Sequence, residues 1–294
     1  NRSRGDRVMS ANKILSAVRV GFAAIFLWLV LAGNWVNLKK ESFGVFDSQG
    51  GAGFGIVVVV LGVLMLLVSL TLAAEKEFTI KPLAMGGNQI LLALGFASFT
   101  TILSFLVIAH SGSFRALGQI RGAGWGAAGA GLVAYFLPQA VMAGFGLLGA
   151  SSSTPVNQSD RQKIGFVVLV SGALIAIAPL FEWFKTEEGT WTGYEPGAPR
   201  MGFLLLAFGG VMALTGFMRL RPKGLAEPGG RLAHPHLQTI VSLCVMSPLI
   251  GWLITGTQRE DMSVGFGVWI GLIAGILLLG ISIFEVTKRE VTAS

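Results

Sequence analysis

The chain has 294 residues, 53% of them hydrophobic and only 13% charged. Soluble domains carry about 25% charged residues, so composition excludes a water-soluble globule and makes the bilayer the solvent for this apolar surplus. The net charge of +7 does not point to nucleic acid, because the basic residues are scattered over connecting loops and form no stripe. The lone cysteine, Cys244, excludes an intrachain disulfide and a cysteine metal cluster.

A polar, basic segment, 1–13, opens the chain. Since it starts at Asn1 without Met, a trimmed N-terminus is expected. Eight apolar stretches follow, at 14–33, 54–73, 88–109, 124–149, 164–182, 201–218, 237–256 and 264–285. The first is too long for a signal-peptide core, and the residues around Asn34 are no small-residue cleavage site. Unpaired backbone groups are not tolerated in hydrocarbon, and the period-two alternation of a barrel strand is absent. The fold class is therefore an all-α polytopic membrane protein of eight transmembrane helices. The overlong fourth stretch tilts, or kinks at Pro138.

With the N-terminus inside, fifteen Lys and Arg residues fall on the cytoplasmic side and seven outside. The excess predicts a multi-pass protein of the cell membrane with both termini cytoplasmic. Arg19 lies about one turn inside the first helix, where its stem can snorkel to the headgroups.

The last four stretches replay the first four. Lys13-Ile14 and Lys163-Ile164 open the first helix of each set, and Trp35 and Trp183 follow it. Phe54 and Phe203 start the second helix, Gln89 and Gln238 the third. Gly124-Trp125-Gly126 and Gly265-Phe266-Gly267 start the fourth. The order predicts two tandem parallel four-helix repeats, 14–150 and 164–294, joined by a flexible cytoplasmic linker, 151–163.

Helix four of each repeat carries small residues spaced by four: Gly122, Gly126 and Ala130 in one copy, Gly267, Gly271 and Gly275 in the other. Such a ridge lets backbones approach and reads as a packing face. The loops after the first and fifth stretches read as short hairpins flanked by aromatic residues, Trp35, Phe43 and Phe46 in one and Trp183, Trp191 and Tyr194 in the other. Tryptophan at a membrane exit also anchors the interface. Glu182, Glu187, Glu188 and Glu195 make the second loop acidic, but in no calcium-loop spacing.

Chemistry-bearing residues are sparse. His234-Pro235-His236 reads as an interfacial loop before the seventh helix, a membrane thickness from His110. No carboxylate falls in the middle of a stretch, which argues against a proton pump or voltage sensor. No cofactor, metal site or catalytic set is expected. Ser98, Thr100, Thr101, Ser104, Gln139, Thr215, Ser242 and Ser247 are mild polar residues at depth. Ser98, Thr101, Gln139 and Ser247 would line a solute path, and Pro138-Gln139 and Ser247-Pro248 are candidate helix breaks around a midplane site. The leading expectation is a non-enzymatic accessory or scaffold subunit of a larger bacterial-type membrane assembly, or a homo-oligomer, acting through helix packing. Its partners are membrane lipids and other membrane subunits or itself. The alternative is a transporter or channel for a lipid or weakly polar solute, with a path between the two repeats.

Overall fold

The computed structural model describes residues 2–32, 34–38, 41–44, 46, 52–74, 78–109, 119–120, 156–187, 189–195, 201–221, 234–258 and 262–293. Seven long helices dominate these residues: α1 (Arg2–Ala32), α2 (Ala52–Ala73), α3 (Gly87–Ala109), α4 (Gln158–Ile177), α5 (Gly202–Leu220), α6 (His234–Thr257) and α7 (Phe266–Ala293). Six of them are long and apolar enough to cross a membrane, all but α1, whose apolar part, Ala17–Ala32, is shorter. The protein is a mainly helical, multi-pass membrane protein. The fourth apolar stretch, 124–149, lies outside the described residues.

Several boundaries differ from those read off hydropathy, which does not register polar residues that continue a helix. Helix α1 runs back through the basic segment to Arg2. Helix α4 starts six residues before the apolar stretch, inside the segment expected as a flexible linker. Asn157 is the reason: its side-chain oxygen accepts from the Asp160 amide at 2.8 Å, and Asp160 faces the positive end of the helix. Helix α4 ends in a 3-10 turn, Ala178–Leu180, where Pro179 can donate no backbone bond. Helix α6 continues through Pro248, so the break expected at Ser247-Pro248 does not occur. Membrane helices tolerate an interior proline when their neighbours pack against it.

Helices α3 and α6 form the centre and are buried on nearly every side. They pack on each other, α2 lies against both, and α1 lies against α2. On the other side α4 pairs closely with α5, and α7 joins α4 to α6. The remaining surface is apolar, with Trp28, Leu67, Phe203, Val211 and Ile276 among its exposed side chains. Large apolar groups on the outside and buried hydroxyls inside are what lipid as solvent selects.

Two three-stranded sheets cap one end, called here the sheet end. In the first, β1 (Asn34–Leu38) pairs with β2 (Glu41–Gly44) and, on its other edge, with β5 (Gln119–Ile120). A two-stranded ladder, β3 (Thr79–Ile80) with β4 (Met85–Gly86), lies between α2 and α3 at the opposite, far end. In the second three-stranded sheet, β6 (Glu182–Thr186) pairs with β7 (Gly189–Thr192) and with β8 (Ser263–Val264). Their registers match residue for residue. Val36 faces Phe43 and Ile120, while Phe184 faces Trp191 and Val264. The ladder slips at the same place in both, after Asn34 and after Glu182.

Candidate functional site

The chemistry of the chain concentrates at the far end, among the ends of α5, α6 and α7. Arg219, in the last turn of α5, donates from Nη1 to Glu285 Oε2 at 3.0 Å and from Nη2 to Oε1. Glu285 also accepts from Gln238 Nε2 at 3.0 Å and from Arg289 Nη2 at 2.6 Å. Glu285 is wholly buried and Arg219 is 3% exposed. The two-pronged guanidinium matches the carboxylate fork, and the two further donors fill its remaining lone pairs. Three helices are thereby tied through one carboxylate. Arg219 reaches it because its stem crosses α4 at Gly165, where a Cβ would touch Arg219 Cβ at 3.0 Å. Lys288 on α7 adds a longer pair to Asp160 on α4, at 3.8 Å and partly in solvent.

This cluster adds burial to what the sequence says of two residues. Arg219 counts in the sequence as a cytoplasmic loop charge, and Glu285 as a carboxylate at a helix end. Both are inside the protein, because each supplies the group that makes burial of the other tolerable. The i, i+4 spacing of Glu285 and Arg289 was the readable part of the signal.

The histidine pair is corrected. His234 and His236 lie in the first turn of α6, buried, and not in a loop. His236 Nε2 stands 3.1 Å from the Ala84 carbonyl, and Nδ1 stands 3.4 Å from Gln89 Nε2. A carbonyl only accepts, so Nε2 carries the proton and Nδ1 accepts from Gln89. The imidazole therefore bridges α6 to the start of α3. Among the described residues no group of three or more His, Cys, Asp or Glu stands ready to hold a metal.

The residues of the expected solute path divide. Thr101 on α3 donates to Ser247 on α6 at 2.9 Å, and Ser247 donates to the Ala97 carbonyl at 3.3 Å. Ser98 is also buried, its hydroxyl 3.9 Å from Met65 Sδ on α2. Gln139 lies outside the described residues. Thr101 and Ser247 thus sit in the packed seam between α3 and α6, and Ser98 faces α2. A shallow cleft without room for a water molecule lies beside that seam, between α5 and the central pair, lined by Thr100, Ser104, Leu205, Cys244 and Pro248.

Of the expected packing ridge, Gly122, Gly126 and Ala130 lie outside the described residues. Gly267 lies against the Ala178 carbonyl and the Trp183 ring, Gly271 against Leu249, and Gly275 against Met246. In α7 the ridge therefore meets this chain's own α6 and second sheet. Two backbones also approach closely between α4 and α5, as α2 does to α6 where Gly53 meets the Gly251 carbonyl. A Cβ at Gly172 would fall under 3 Å from the Ala213 amide, and one at Gly209 equally close to the Ala176 amide. Their seven-residue partners, Gly165 and Gly216, repeat the contact one layer down. Sequence reading missed this pair because it sought a period of four, and two antiparallel helices meet in register every seven residues.

At the sheet end, Trp35 is in β1, Phe43 in β2, and Phe46 is exposed beyond it. Trp183 is fully buried and donates from Nε1 to the Ala178 carbonyl at 3.2 Å. Trp191 stacks on Phe184, and Phe184 meets the edge of Trp252 on α6 at 5.7 Å. Trp252 in turn faces Phe54 on α2. The second sheet is thus fastened to the centre through aromatic rings. Tyr194 reaches the Ala176 carbonyl at 3.4 Å, and burial raises its phenol above the ordinary value. Glu195 closes the hairpin by accepting from the Thr192 amide at 2.9 Å.

Comparison with known proteins returns no matching family model, no matching curated protein and no matching solved structure.

Proposed function

We propose that the chain is two tandem four-helix repeats facing the same way in the cell membrane, with both termini cytoplasmic. On this reading it is a non-enzymatic accessory or scaffold subunit of a larger bacterial-type assembly, or of a homo-oligomer. The repeat is supported by the twin sheets: Glu182, Phe184 and Trp191 each follow their counterparts Asn34, Val36 and Phe43 by 148 residues, with the same ladder slip. The scaffold role is supported by the closed seam. The Thr101–Ser247 and Gln89–His236 bonds join the halves side chain to side chain, so the polar groups at depth serve packing.

The test uses two glycines on the outer surface. A Cβ at Gly21 on α1 or at Gly280 on α7 meets nothing of this chain within 4 Å. Gly21→Leu and Gly280→Leu therefore leave the fold intact and obstruct only a neighbour. The expected result is loss of the larger species in mild detergent, read by mass, with an unchanged unfolding temperature. A wild-type protein that purifies as a monodisperse monomer with no companion overturns the scaffold reading.

The second reading is a transporter or channel for a lipid or weakly polar solute, moving between the repeats. The cleft between α5 and the α3–α6 pair favours it. Cross-linking cysteines placed at Thr101 and Ser247, with Cys244→Ser, locks the seam. Flux that persists after cross-linking removes a route through it.

A further inference from the structure

We propose that Arg19 anchors a binding site for an acidic phospholipid, its guanidinium taking the headgroup phosphate at the far end of the α1–α2 seam. Arg19, Ala23, Phe26 and Val30 form the buried stripe of α1, and the opposite face carries Gly21, Ala24 and Trp28. Phe26 meets α2 at Gly62. Seven residues toward the far end on each antiparallel helix bring Arg19 level with Ser69 of α2. The arginine therefore does not snorkel along the lipid face as its sequence position suggests. It is 6% exposed, and its Nε and Nη2 are buried without a partner among the described residues.

A guanidinium does not shed its proton, so a buried one is held by an anion. The other buried arginine at this end, Arg219, has Glu285 for that purpose. Arg19 has no such neighbour within the apolar helices of its own half: segments 14–33, 52–73, 87–109 and 124–149 contain no Asp or Glu, and Asp6, Glu41, Asp47, Glu75 and Glu77 all fall outside them. The missing anion comes from outside these helices. Arg19 is the third residue of the apolar part of α1, Ala17–Ala32, which places it at the edge of the hydrocarbon, where lipid phosphates lie. Two phosphate oxygens fit the two buried donors, and basic pockets between helices at a membrane surface are known hosts for acidic headgroups. A carboxylate on a neighbouring membrane helix is disfavoured, because a helix docked on the small-residue face of α1 would lie on the side away from the arginine.

The experiment compares intact wild type, Arg19→Met, Arg19→Lys and Arg221→Gln in nanodiscs of phosphatidylcholine with or without phosphatidylglycerol. Arg221 is the control, an exposed cation at the same end. Phosphatidylglycerol raises the unfolding temperature of wild type and Arg221→Gln and is retained by both in native mass spectra. Arg19→Met loses the response, with affinity weakened about ten- to a hundredfold, as expected for a lost charge-assisted pair. Should Arg19→Met not fold, a weakened response in Arg19→Lys, which keeps charge without the fork, supports the site. An undiminished response in either Arg19 variant overturns it. So does an equal shift from inorganic phosphate alone, which assigns a soluble anion. A wild type indifferent to phosphatidylglycerol, with an acidic membrane protein copurifying only while Arg19 is present, also overturns it.

Discussion

Gly209 and Gly210 are adjacent on α5, and the structure assigns them opposite fates. A methyl group added at Gly209 falls under 3 Å from the Ala176 amide and close to the Gly172 carbonyl, both backbone atoms of α4 that have no rotamer to adopt. The same methyl at Gly210 meets nothing within 4 Å. Relief of the clash requires the two helices to part by roughly 1 Å, and a gap of that size forfeits a quarter to a half of each contact of about 0.1–0.2 kcal/mol. Over about forty atom pairs in such a seam, Gly209→Ala costs on the order of 1–4 kcal/mol. Gly210→Ala instead gains helix propensity of up to about 1 kcal/mol. Unfolding in detergent, followed by tryptophan fluorescence, reads both. Gly209→Ala lowers the midpoint while Gly210→Ala holds or raises it. Equal midpoints for the two variants would refute backbone contact between α4 and α5.

Three further outcomes follow from the same contacts. Arg219→Met or Glu285→Met alone costs about 3–5 kcal/mol in the same unfolding assay, because each strands a buried charge, whereas the double variant recovers much of that loss; no recovery would remove the pairing. Thr101→Val and Ser247→Ala are coupled in a double-mutant cycle by about 0.6 kcal/mol, the usual size for a bond between membrane helices, and zero coupling would sever the α3–α6 link. The raised Tyr194 phenol makes a pH prediction. An acid whose folded value lies above its unfolded one contributes stability below the unfolded value and loses it as pH climbs through and beyond that point. Wild type thus becomes less stable relative to Tyr194→Phe in strongly alkaline buffer, and parallel pH profiles for the two would contradict this.

Hydropathy locates the helices because it counts what lipid counts. Leu67 and Val211, exposed on α2 and α5, are as legible in the sequence as in the structure. The hairpins were legible too, since aromatic and β-branched residues flank a polar turn in both. Their third strands were not, because Gln119-Ile120 and Ser263-Val264 are two residues each and stand about 80 positions from the strands they join. The polar cluster was hidden for a related reason. Arg219 and Glu285 are 66 residues apart and each sits near a helix end, where a charge usually finds water. Only the three-dimensional meeting of α5 with α7 turns them inward. His236 was misread because a proline follows His234, and proline in the first turn of a helix looks the same in sequence as proline in a loop.

Helix α5 lies closely along α4 for its whole length and is fastened to other elements mainly at its two extremities. At the sheet end Gly202 lies against the Gly193 carbonyl and the Tyr194 ring, and at the far end Arg219 is pinned to α7. Between these points it lies closely along α4 but touches α6 only sparsely. The α4–α5 pair is therefore a stiff plank, seated on α7 along α4 and riveted at the two ends of α5. Sideways strain from a thinning or stretching bilayer would flex the plank as one piece, and the Arg219 rivet is where that load would be felt.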